Sequence, residues 1–132
     1  MKATATIFLV MLITLCTVSH GQTVHKFELR YIPFQAETLI AITPKTIAQL
    51  KPYLITNQDE VVIRREFGHA TVVENDTFAF QNGKVRLMIT IDDTAYVCDS
   101  SGSCFSDKFD TINVNVNNLT VVLQKYVDEQ KP

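Results

Sequence analysis

The chain has 132 residues, 46% of them apolar, and a formal net charge of −2 from 12 basic and 14 acidic side chains. That is enough chain for one domain with one core, and no stretch has the composition of a disordered linker. A slightly acidic chain without a basic cluster argues against nucleic acid as a partner and against charge-held binding to an anionic membrane.

The N-terminus carries an address. Lys2 precedes an apolar run over residues 7–18, and Ser19 and Gly21 then stand at the −3 and −1 positions of a cleavage after Gly21. This is the three-part layout of a secretory signal peptide. The run is too short to cross a bilayer comfortably, and no second long apolar stretch follows it, so no membrane span is expected in the mature chain. Residues 1–21 are therefore expected to be a leader, and residues 22–132 a single exported α+β domain. That domain would begin at Gln22 and work outside the cytoplasm, as a secreted, extracellular or periplasmic protein. Loss of Lys2 with the leader takes the net charge from −2 to −3.

Of the three cysteines, Cys16 leaves with the leader. Lipid attachment at Cys16 is the alternative, disfavoured because Leu15 stands where a lipoprotein carries a small residue. Cys98 and Cys104 remain, an even number in an oxidising compartment, and a disulfide is the expectation. The turn-rich separator Asp99-Ser100-Ser101-Gly102-Ser103 lets the chain double back between them. Closing so small a loop contributes about 2–2.5 kcal/mol by the chain-entropy argument. Two cysteines without a flanking histidine do not make a zinc site, and the Cys-x-x-Cys spacing of a redox pair is absent. No metal or cofactor is expected.

Along the chain, residues 24–32 alternate, with Phe27, Leu29 and Tyr31 on one side and Lys26, Glu28 and Arg30 on the other. This predicts a half-buried strand that Pro33 ends. Residues 38–42 read as a short apolar strand. Thr43-Pro44 is a helix start, with Ile47, Ala48 and Leu50 as its buried stripe and Pro52 as its stop. Residues 61–67 and 70–74 read as strands separated by Gly68-His69, and residues 77–81 as another after an Asn75-Asp76 turn. Asn82-Gly83 predicts a type I′ hairpin. The next strand, residues 85–91, sets Val85, Leu87, Ile89 and Ile91 against Arg86, Met88 and Thr90. Residues 94–98 and 103–106 should form a hairpin stapled by the disulfide, and residues 111–116 a last strand. Leu119, Val122, Leu123, Tyr126 and Val127 share one face of a C-terminal amphipathic helix, capped by Asn117 or Asn118. The sum is a mainly antiparallel β-sheet of seven to nine short strands with two helices, an α+β domain.

Chemistry-bearing groups are sparse. His25 and His69 read as solvated, although Glu66 lies close enough in sequence to His69 to partner a general base. No serine sits in a nucleophile elbow and no cysteine is left free. Asp92, Asp93, Asp99, Asp107 and Asp110 gather in turns, but their spacing fits no EF-hand. Arg64 and Arg65, adjacent in an expected strand, would point to opposite faces, either guarding an edge or anchoring an acidic partner. Asn75 and Asn118 open Asn-x-Thr sequons that an N-glycosylation pathway could use.

No motif set names a family. The pattern favours a binding module over an enzyme: a secreted or periplasmic domain recognising a protein partner, in the manner of an enzyme inhibitor. Its contacts would come from Arg64, Arg65, His69 and the loop Asp99, Ser100, Ser101, Gly102 and Ser103. The alternatives are a small hydrolase using dispersed carboxylates or His69, and a structural subunit of a cell-surface assembly.

Overall fold

The computed structural model describes residues 26–129 apart from Asn75. The leader, Cys16, His25 and the Asn75 sequon lie outside the described residues. Among those described, six strands form one antiparallel sheet in the order β1-β3-β4-β5-β6-β2. They are β1 (Phe27–Tyr31), β2 (Thr71–Val72), β3 (Val85–Ile91), β4 (Thr94–Asp99), β5 (Ser103–Ser106) and β6 (Thr111–Asn113). The α+β class holds, with fewer strands than expected and three helices: α1 (Pro44–Ile47), α2 (Asn57–Gly68) and α3 (Val116–Glu129).

The best-patterned stretches make the centre of the sheet. β3 pairs with β1 through Leu29↔Ile89 and with β4 through Ile89↔Tyr96. Leu29, Tyr31, Leu87, Ile89, Cys98 and Cys104 lie on one face and meet Ile63 and Phe67 of α2 and Leu119, Leu123 and Tyr126 of α3. Each large aliphatic side chain fully buried here is worth about 1.5–3 kcal/mol, so this layer is the main source of stability. The opposite face is covered more thinly, by a cluster of Ile42, Ile47, Val85 and Val97 with Phe80, Met88 and Phe105 beside it. The outer edge of β1 is sealed by the following segment, where Tyr53 N donates to Leu29 O at 2.9 Å and Arg30 Nε to Leu50 O at 2.7 Å. That sealing removes a free sheet edge.

The strand expected over residues 61–67 is a helix. Its β-branched run Val61-Val62-Ile63 invites the strand reading, but a cap decides otherwise. Thr56 Oγ1 accepts from Asp59 N at 3.3 Å and donates to Asp59 Oδ2 at 3.0 Å, a reciprocal start of the capping-box kind. Asp59 and Glu60 in the first turn suit the positive end of the helix dipole. Asp59, Ile63 and Phe67 then recur at four-residue steps on the buried face. Arg64 and Arg65 are consequently neighbours on a helix, not on opposite faces of a strand.

Six further expectations change for local reasons. Residues 38–42 give an isolated bridge, Ile42 to Lys84, because most of the segment stands away from the sheet. Residues 77–81 join no strand, and Gln81 N donates to the Asp99 carboxylate at 3.0 Å. Asn82-Gly83 therefore turns the chain into β3 without closing a hairpin, with Lys84 N bonded to Gln81 O. The expected strand over residues 70–74 shrinks to β2, and that over 111–116 to β6. Asn115 leaves the sheet to cap α3, its Oδ1 accepting from Asn118 N at 3.0 Å, in place of the Asn117 or Asn118 cap.

Candidate functional site

The loop that follows β1 and the turn into β3 together build a cleft of about 500 Å³. Pro33 stops β1, and Phe34 turns inward to meet Tyr31 edge-on at 5.3 Å between ring centroids. The chain then rises as a loop over residues 35–41 that forms one wall of the cleft, facing Gly83, Lys84, Arg86 and Ser100. Both ends of the loop are tied down. Ala36 N donates to Pro33 O at 2.9 Å, and beyond the loop Ile42 N donates to Gly83 O and Ile42 O accepts from Val85 N, each at 2.9 Å. Between these ties the apolar tip is bare: Leu39 is fully exposed and Ile40 is 68% exposed. Two adjacent large aliphatic side chains in water on an anchored loop are the feature a packed core does not explain.

Arg86 forms part of the same cleft and is 4% exposed. It owes its position to a β-bulge. Val85 pairs with Asp99 and Leu87 with Cys98, so Arg86 is the extra residue on β3. The bulge also breaks the expected alternation, sending Val85 to the second cluster while Leu87 stays with the first. The Arg86 guanidinium donates through Nη1 to Val85 O at 2.9 Å and through Nη2 to Ala36 O at 3.0 Å. Among the described residues its Nε has no hydrogen-bond partner and no carboxylate forms an ion pair with it. A buried cation held by carbonyl dipoles alone is costly.

The disulfide joins Cys98 to Cys104 across β4 and β5, with both residues fully buried. The loop between them is organised around the Asp99 carboxylate, which is also fully buried. Its Oδ1 accepts from Ser101 N at 2.9 Å, Ser101 Oγ at 2.6 Å and Ser103 N at 3.1 Å, while Oδ2 takes Gln81 N. Gly102 is buried with φ +88°, and a Cβ there would lie 2.7 Å from Val114 O. Of this segment Ser101 is the exposed residue, although its Oγ bonds to Asp99, while Ser100 lines the cleft described above. Asp99 is thus a structural hub whose oxygens are spent inside the fold.

Arg64 is similarly committed. It forms a two-pronged pair with Asp92 at 3.1 and 3.2 Å and lies over the Phe27 ring at 5.5 Å. Hydrogen bonding to Asp92 raises the guanidinium further above its already high range. Arg65, His69 and Asn118 line a second, polar cleft of about 470 Å³ together with Glu66. Both Glu66 oxygens accept from Asn118 Nδ2, at 3.2 and 3.3 Å. His69 caps the end of α2 and is exposed. Neither serine nor cysteine lines this cleft. The turn aspartates are not brought together as an ion site: Asp92 pairs with Arg64, Asp93 with Lys108 at 2.6 Å, and Asp107 accepts from Ala95 N. Among the described residues no three His, Cys, Asp or Glu side chains come together as metal ligands, and no helix is long and apolar enough to cross a membrane.

No protein family, curated protein or solved structure matches this chain. The reading of the site therefore rests on its own geometry. The sequence alone does not mark Leu39, Ile40, Lys84 or Arg86 as site residues. Arg86 falls in the polar phase of the expected 85–91 alternation, so the strand pattern gives no warning that it is buried. Leu39 and Ile40 give no warning either, because an exposed apolar pair and a buried strand have the same composition.

Proposed function

We propose that the chain is an exported domain that works by binding a protein partner, and that the loop over residues 35–41 makes the central contact. The observation that carries this reading is the bare Leu39-Ile40 tip on a loop fixed at both ends. Such a loop loses little freedom on binding and brings two aliphatic anchors, which is what a short, well-packed contact needs. A projecting apolar tip fits a concave, mostly apolar pocket, the shape of many enzyme clefts. Inhibition of such an enzyme is the form of the activity this reading favours. The leader layout at the N-terminus supports an extracellular or periplasmic setting, in which the Cys98–Cys104 staple persists.

The runner-up, a small hydrolase acting through His69, has in its favour that Glu66 and His69 share a cleft. Against it, the Glu66 carboxylate is held by Asn118, and the cleft offers no serine or cysteine nucleophile. Affinity capture from the native extracellular fraction tests the first reading. Wild-type protein should retain a partner that Leu39→Asp retains at least about tenfold less, since burying the new charge in an apolar pocket costs more than a factor of ten. Equal retention by both proteins, or no retained partner, removes the reading.

A further inference from the structure

The cleft beside the loop holds a charge that the fold leaves unanswered. Arg86 is nine-tenths buried, yet its partners are two backbone carbonyls, Val85 O and Ala36 O. A guanidinium has five N–H donors, so most of this one's hydrogen-bonding capacity is unspent, and Nε has no acceptor among the described residues. A second cation, Lys84, lines the same cleft and forms no ion pair among the described residues, and one acid, exposed Glu37, stands on the loop wall. The three side chains leave the cleft with one net positive charge. The bulge at Arg86 is what puts this side chain there, and bulges characteristically re-aim a side chain at the rim of a site.

We infer that this cleft is a carboxylate-binding site, anchored by Arg86 with Lys84 as a second positive group and Leu39 and Ile40 as an apolar rim. A carboxylate matches on three counts. It is a monoanion facing a single net positive charge. Its planar pair of oxygens fits the guanidinium fork in a way that a point charge does not. An acidic group carried next to an aliphatic one meets both the cation and the rim. The inference rests on the loop being a recognition surface, and it adds the chemistry that surface selects: an acidic side chain or a chain-terminal carboxylate flanked by an apolar residue.

The test uses the wild-type protein and follows the Arg86 Nε–H by ¹⁵N-correlated NMR, since this proton is buried and unpartnered. Acetate, N-acetylleucine, N-acetylleucinamide and inorganic phosphate are titrated separately, with chloride at matched ionic strength. The expected result is a saturable shift of the Arg86 Nε–H and of the amides of residues 35–41 with both acids. N-acetylleucine should bind about tenfold more tightly than acetate, because its side chain covers the rim, and the amide should leave the resonance in place. Lys84→Gln, at an exposed position, should weaken the acids by up to about fivefold. If neither acid moves Arg86 more than chloride does, Arg86 is a strap between β3 and the loop, and the inference falls. Saturation by phosphate with both acids inert overturns the carboxylate assignment. An unmoved Arg86 in a protein whose partner capture still depends on Leu39 removes the carboxylate and leaves the binding loop. A saturating acid titration with capture indifferent to Leu39→Asp does the reverse.

Discussion

Gly102 and Asp99 show how single residues set the shape of the disulfide hairpin. Asp99 gathers four donors from three residues, so its buried carboxyl oxygens are satisfied by hydrogen bonds. Gly102 allows the turn to close because its φ of +88° and the 2.7 Å approach to Val114 O leave no room for a Cβ. Gly102→Ala should therefore lower stability by about 2 kcal/mol or more, read by urea unfolding, since backbone strain and a steric clash add. An unchanged midpoint would mean that the turn relaxes freely. The sequence marked this segment as a turn through Asp99, Ser100, Ser101 and Gly102. It did not reveal that the carboxylate faces inward, because composition does not say which way a turn side chain points. The same limit hid Arg86. Its role depends on a one-residue bulge in pairing with β4, a property of two strands and not of either alone.

At the scale of elements, the short-range signals that survived were those with a mechanism tied to packing. The C-terminal helix was legible from the spacing of Leu119, Leu123 and Tyr126, and these are the residues buried in α3. Leu123→Asp should accordingly cost several kcal/mol, on the order of 4, because a charge replaces a fully buried side chain. Melting at the wild-type temperature would show α3 to be peripheral. The sequence favours a strand over much of α2 because Val61, Val62 and Ile63 suit strands by shape, while the Thr56–Asp59 cap that starts the helix carries less weight in the pattern. That cap also ties α2 to α3. Asp59 is held below the usual carboxylate range chiefly by hydrogen bonding to Lys125, then by the Tyr126 hydroxyl, which donates to Asp59 Oδ2. A carboxylate lowered in the folded state stabilises it above the unfolded pKa of about 3.9 and loses that contribution as pH falls through the folded value. Acid should thus narrow the gap in melting temperature between wild type and Asp59→Asn, starting near pH 4. A gap constant down to pH 2 would show that the α2–α3 tie is not ionic. Asp93 is lowered in the same direction by Lys108, but that pair stands in solvent, where screening leaves it little influence.

Across the whole molecule, one sheet carries two unequal coats. The helical face is a continuous core from Leu29 to Tyr126, and its class was readable from alternation and helical spacing. The other face is covered by residues that look structural in sequence, and it is here that the loop over 35–41 stands free beside the Arg86 cleft. Exposure is a relation between a segment and the rest of the fold, so a Leu-Ile pair reads as core until the fold is known. This loop, and not scattered apolar surface in general, is the proposed docking site for a partner. Val121 on α3 provides the comparison, since it is also strongly exposed but lies outside the cleft. The decisive measurement places a photoreactive side chain at position 39 or at position 121 and irradiates the folded protein in its native extracellular fraction. A discrete protein adduct from position 39, absent from position 121 and competed by unlabelled wild type, is the predicted result. Equal adducts from both positions, or none from position 39, would contradict it.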